Sequence, residues 1–110
     1  YYTNHYAPDQ PEARVKTFIE SYKSEFGGST PDGLAALGYD AAKLLFDAMK
    51  RASEPAGAPL RDAIAGTKNF PGVTGDITIN ENRDAKKSAV VVEMSGDPPA
   101  PTYTTTVTPD

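Results

Sequence analysis

Apolar residues recur at helical spacing along the first quarter of the chain. Val15, Phe18, Ile19, Tyr22 and Phe26 fall at i, i+3, i+4, i+7 and i+11, so a helix would carry them on one face, with Glu20, Lys23 and Glu25 outside it. Asp9 is the N-cap candidate, with Pro11 in the first turn and Glu12 in capping-box spacing, and Gly27-Gly28 is the stop. A second helix is predicted after Ser29-Thr30-Pro31-Asp32. It carries Leu34, Leu37, Ala41, Leu44, Leu45 and Ala48 on one side and Tyr39, Ala42, Phe46 and Met49 on the other, which predicts a central helix. Beyond the Ser53 to Pro59 connection, Leu60, Ile64 and Ala65 predict a short helix that ends at Gly66 and lies as a lid over the core edge.

The period then changes. Pro71-Gly72-Val73-Thr74-Gly75 is turn chemistry leading into Asp76-Ile77-Thr78-Ile79-Asn80, which alternates as a half-buried strand does, and Asn82-Arg83-Asp84 supplies the next turn. Ala89-Val90-Val91-Val92, within Ser88 to Met94, reads as a strand covered on both faces, for which the rest of the chain offers too little sheet. Pro98, Pro99 and Pro101 predict an extended linker, and the threonine-rich stretch Tyr103 to Val107 a terminal edge strand.

With 110 residues, of which 38% are hydrophobic, the chain supports one modest core. Its formal charge of -4 comes from acidic and basic residues interspersed along the sequence. No basic stripe is there to neutralise phosphates, which argues against nucleic acid as a partner, and no polybasic anchor faces an anionic membrane. No apolar run approaches the roughly 20 residues of a membrane helix. The lack of cysteine removes disulfides, thiolate metal sites and a cysteine nucleophile, and fits a cytosolic or an exported protein equally. The chain opens on Tyr1-Tyr2-Thr3 without an initiator methionine, as expected of a piece of a longer polypeptide.

Four stretches in this order resemble the C-terminal part of branched-chain amino acid ABC transporter substrate-binding proteins, of the type I periplasmic binding protein family. They are Tyr2-Thr3-Asn4-His5-Tyr6, the helix through Phe18 and Tyr22, Pro31-Asp32 to Leu37-Gly38-Tyr39-Asp40-Ala41, and Phe70-Pro71-Gly72-Val73-Thr74-Gly75 with Ile77-Thr78. Each motif is weak alone; their order and spacing carry the resemblance, from Tyr1 to about Met94. It implies an α/β fold, or α+β as a fragment, with three helices and a few strands taken from a two-lobed receptor. Each lobe of such a receptor is built on a parallel sheet, and the lobes close over one small ligand.

On that resemblance residues 1–8 are a hinge crossover, 9–80 the helical part of one lobe with a strand, and 81–110 the return crossover, the buried-type strand and the proline-rich tail. The implied function is capture of an aliphatic amino acid or related carboxylate for an ABC permease, in the periplasm or outside the cell, with a lipid anchor conceivable on the parent protein. The ammonium and carboxylate clamps of the family lie upstream of this chain. What it offers the ligand is the crossover residues Tyr1, Tyr2, Asn4 and Tyr6, and Leu34 at the start of the second helix. For Tyr2 and Tyr6 the competing reading is packing at the hinge with the phenol on a backbone group. The valine strand, deprived of neighbours, is expected to make the isolated chain self-associate, Ala89 to Met94 pairing between copies or with the terminal strand of a neighbour. The family usually has a glycine near Arg83, so this turn departs from its pattern.

Nothing assembles an enzyme. His5 lacks a nucleophile in a recognisable arrangement and reads as a polar hinge residue. Asp9 with Glu12 is explained by capping, and Asp32 with Asp40 by a helix start that favours negative charge. Asp76, Asn80, Asn82 and Asp84 lack the glycine and terminal glutamate of a calcium loop and read as a solvated turn. Gly27-Gly28 follows a helix and is no phosphate loop. No cofactor is implied. Two other functions stay open: a ligand-sensing module of the same fold, and a stand-alone domain that binds partners by strand addition.

Overall fold

The computed structural model describes residues 1–109. In chain order they form β1 (Tyr2–Asn4), α1 (Ala13–Glu25), α2 (Gly33–Arg51), α3 (Gly57–Ala65), β2 (Phe70–Gly72), β3 (Gly75–Ile79), β4 (Ala85–Lys86), β5 (Ala89–Ser95) and β6 (Ala100–Val107). The strands make two antiparallel sheets, β1-β5-β6 and β2-β3-β4. Helices and antiparallel strands give the fragment its mixed, α+β character.

The α1 stripe packs as its spacing requires: Val15, Phe18 and Ile19 are buried with Tyr6, Ala36 and Val73, and Tyr22 leans on the cluster. The Tyr6 and Phe18 rings meet edge to face, centroids 6.3 Å apart. A second cluster joins Ala7 to Val90 and Val92, with Tyr103 packed against it. Adjacent residues, Tyr6 and Ala7, thus each anchor a different cluster and fix the helices against the β1-β5-β6 sheet.

The helix ends follow local chemistry at some points and depart from it at others. Gly27 and Gly28 take φ of 60° and 85°, and the Gly28 N–H closes on the Lys23 carbonyl at 2.8 Å, terminating α1. The expected Asp9–Glu12 capping box does not form. A turn intervenes, with the Gln10 N–H on the Ala7 carbonyl and the Gln10 side-chain oxygen accepting from the Ala7 N–H, and α1 starts four residues after Asp9 at Ala13, capped by Glu12 without a side-chain bond. Asp9 instead accepts from the Tyr103 N–H at 2.8 Å. At α2 the expected start holds: Asp32 caps it, accepting from the Ala35 N–H at 2.8 Å.

α2 is buried on one face rather than two. Ala36, Asp40, Leu44 and Ala48 point inward, while Tyr39, Leu45, Phe46 and Met49 are exposed. Asp40, expected as a helix-start acid, lies well inside the helix. α3 packs against α2 with none of its residues fully buried, in keeping with a lid.

β5 is likewise covered on one face: Val90 and Val92 are buried, whereas Ala89, Val91 and Glu93 are half-buried. The expected lack of neighbours is corrected too. β1 pairs with β5 along Val90–Val92, and β6 along Ala89–Ser95, so both edges of its valine run are satisfied within the chain. The proline-rich segment is not an extended linker. The chain turns back within Gly96–Pro99, and β6 starts at Ala100, earlier than the threonines suggest. Along β6 the register jumps from Val91↔Thr105 to Val92↔Tyr103, leaving Thr104 as a bulge.

Candidate functional site

β1 delivers the crossover residues to the start of α2. The Tyr6 phenol is buried and donates to the Pro31 carbonyl, just ahead of the Asp32 cap. Burial, with the Asp32 carboxylate and Tyr22 adding, pushes that phenol up to about 12. Asn4 is half-buried; its Oδ1 accepts the His5 N–H at 2.8 Å and lies 2.9 Å from where a Cβ on Gly33 would stand. The absence of a side chain at Gly33 lets β1 close on the first turn of α2. That turn presents Leu34, 76% exposed.

Of the sequence-predicted site residues, Asn4 lies against Gly33, the residue before the exposed Leu34, and Tyr6 ties the same stretch of chain to Pro31. Tyr6 follows the packing reading: its ring is in the core and its hydroxyl is committed to backbone. Tyr2 and Tyr1 lie at the start of the chain, Tyr2 opposite Val92 and 43% exposed, Tyr1 82% exposed with its phenol raised by the hydrogen bond it donates to the Glu93 carboxylate and by that residue's charge. His5 is exposed, and partial desolvation with the nearby Lys87 ammonium lowers its pKa.

A second buried polar assembly supports the hairpin of β2 and β3. Asp40 accepts from the Val73 N–H at 2.7 Å, the Thr74 N–H at 2.8 Å and the Thr74 hydroxyl at 2.7 Å. A Cβ on Gly72 would meet Asp40 Oδ2 at 2.6 Å, and one on Gly75 would strike the Ser88 hydroxyl. Lys87 closes the other side, its half-buried ammonium donating to the Thr74 carbonyl at 3.2 Å. Desolvation lowers the Lys87 pKa and the Asp40 carboxylate partly offsets it. Sequence reading took Phe70 to Gly75 for a turn and Asp40 for a helix-start acid; that the two are one unit had no local signal.

The calcium-loop residues are occupied otherwise. Asp76 pairs with Arg14 at 2.7 Å, and Asn80 Oδ1 accepts the Asn82 and Asp84 N–H groups at 2.9 and 2.8 Å. Among the described residues no helix is long and apolar enough to cross a membrane.

The family model for periplasmic binding proteins matches residues 1–98. The chain belongs to that family. Solved structures agree in fold. The leucine-binding protein LivK of Thermotoga maritima is 37% identical, with a TM-score of 0.79 over 97% of this chain and 30% of its own. The substrate-binding protein LivJ of Streptococcus pneumoniae, solved with isoleucine, is 26% identical, TM-score 0.76, over 93% of this chain and 29% of its own. A solute-binding protein of an ABC transporter from Rhodopseudomonas palustris, solved with 3,4-dihydroxybenzoic acid, is 30% identical, TM-score 0.80, over 96% of this chain and 30% of its own. No curated protein matches the chain. The chain thus spans about 30% of the length of these relatives.

The Asn80 to Asp84 turn of this periplasmic binding protein segment is where the sequence led us to expect a glycine. Arg83 itself takes φ 68°, the left-handed conformation glycine adopts freely, and donates its N–H to the Asn80 carbonyl at 3.0 Å.

Proposed function

We propose that this chain forms one wall of the cleft in an extracytoplasmic solute-binding protein that hands an aliphatic amino acid or related carboxylate to an ABC permease. The observation that carries the reading is the family match across residues 1–98, joined to relatives whose solved complexes hold isoleucine in one case and an aromatic carboxylate in another. Asn4 and Leu34 at the β1–α2 corner are the residues that would face the ligand, Leu34 against its side chain and Asn4 beside it. Tyr1 and Tyr2 would border the opening. Tyr6, through the Pro31 carbonyl, positions the corner. In this reading the chain catalyses no reaction and needs no cofactor.

Residues 1–8 and 81–110 then serve as crossovers, and 9–80 as the helical part of a lobe. The pairing of β1 with β5 supports treating the two crossovers as one hinge, since motion of either would be carried to the other by their shared hydrogen bonds.

A thermal-shift titration with L-leucine, L-isoleucine and 3,4-dihydroxybenzoate tests the reading. A full-length receptor carrying this segment should gain about 4 kcal/mol at a thousandfold excess over Kd, with Leu34→Ala weakening the aliphatic ligands selectively, while the segment alone gives a ligand-independent melt. Absence of any saturable shift in the full-length receptor with all of these ligands would refute it.

A further inference from the structure

We propose that Glu12 holds a buried water that joins the start of α1 to the β2–β3 turn and to the residue just ahead of β5. Glu12 Oε2 is shut off from solvent, and among the described residues none gives it a hydrogen bond. In a capping box the carboxylate would have reached back to the Asp9 N–H, but that box does not form. Glu12 instead lines a small internal cavity of about 40 Å³. A carboxylate oxygen withdrawn from solvent is among the costliest groups to leave unpaired, so the cavity calls for a donor.

To hold a water, a cavity needs roughly 10–15 Å³ and about two to four polar partners, and this one offers both. Gln10 lines it and is only 6% exposed. Its Oε1 accepts the Ala7 N–H at 2.7 Å, which leaves the Nε2 hydrogens to donate. Thr74 and Ser88 bring hydroxyls to the same lining. The Thr74 hydroxyl gives its proton to Asp40 at 2.7 Å and keeps its oxygen as an acceptor. A water completes this set: it accepts from Gln10 Nε2 and donates to Glu12 Oε2 and to one of the two hydroxyl oxygens.

A cation fits the same walls less well. The lining holds a single carboxylate, the Gln10 amide hydrogens would oppose a positive charge, and the Arg14 guanidinium, paired with Asp76 at 2.7 Å, stands on it too. The water links the helical part of the lobe, through Glu12 and Thr74, to the return crossover at Ser88. It adds a second connection across the seam that the Lys87 ammonium already bridges to the Thr74 carbonyl.

The test is a crystal structure of the full-length receptor carrying this segment, at a resolution that orders internal waters, together with a rubidium soak read by anomalous scattering and the variant Glu12→Met. The expected result is a peak within hydrogen-bond distance of Glu12 Oε2 and Gln10 Nε2, without anomalous signal, that is lost in Glu12→Met. Should that variant fail to fold, the unaltered receptor and its rubidium soak decide alone. No peak in the unaltered receptor, Glu12 Oε2 bonded directly to a protein donor, a rubidium signal at the site, or a peak that survives Glu12→Met overturns the proposal.

Discussion

The Asp40 carboxylate accepts three hydrogen bonds from Val73 and Thr74, thirty-odd residues away, and holds the β2–β3 turn against the middle of α2. Both partners are nearly inaccessible, Asp40 at 2% and Thr74 at 3% exposure, so water cannot replace what a substitution removes. Asp40→Ala leaves two buried backbone N–H groups unpaired and should cost about 3 kcal/mol or more, with Asp40→Asn losing roughly half as much. Urea unfolding with an unchanged m-value checks the prediction; a loss under about 1 kcal/mol for the alanine variant contradicts it.

Gly72 is small because Asp40 is there. Gly72→Ala puts a methyl 2.6 Å from Oδ2 and should destabilise by about 2 kcal/mol. Combined with Asp40→Ala, which removes the nearer clash, its cost should shrink without vanishing, because the Gly75 carbonyl oxygen would still stand 2.9 Å from the methyl. A double-mutant cycle reads this coupling, and strict additivity would show that the contact is not the cause.

Tyr6 predicts an alkaline limit. Its phenol is held at about 12, above the ordinary value of 10.0, so the folded state keeps a proton that the unfolded chain gives up. The stabilisation is complete below pH 10 and is lost as pH rises through 12, on the order of 3 kcal/mol over that interval. Lys87, whose folded pKa is lowered, acts oppositely below 10.5, so the Tyr6 effect stands clear above that value. Tyr6→Phe should lose about 1 kcal/mol at neutral pH and flatten the alkaline decline. Ultraviolet titration should show a late component that coincides with unfolding and disappears in Tyr6→Phe.

His5 gives a smaller effect at the acid side. Its folded pKa is below 6.5, so the unfolded chain binds the proton more readily, and stability should fall as pH drops below 6.5. His5→Gln should remove that part of the slope between pH 7 and 5 in denaturant midpoints.

Arg83 pays for a left-handed backbone that glycine would adopt without strain. Arg83→Gly should be neutral to stabilising by up to about 1 kcal/mol, relief of the steric cost being partly offset by greater freedom of the unfolded chain. A lower thermal midpoint for the glycine variant would place the value of Arg83 in its side chain instead.

What sequence alone determined is what neighbouring residues settle among themselves. The helical stripe of Val15, Phe18 and Ile19, the Asp32 cap, the Gly27-Gly28 stop and the Gly72 to Gly75 turn each arise from spacing, side-chain reach or allowed backbone angles, and the order of such motifs was enough to reveal the family. Tertiary structure decided whatever depends on partners distant in the chain. Asp9 left its capping position for the Tyr103 N–H, ninety-four residues on, and Asp40 became a buried anchor because the hairpin folded over it. The valine run became the interior of a sheet because Tyr2–Asn4 and Ala100–Val107 lie on its two sides. Asn4 came to lie against Gly33, at the first turn of α2, in the same way. A buried donor or acceptor takes the partner that the packed chain brings within reach, and no pattern of adjacent residues encodes that choice.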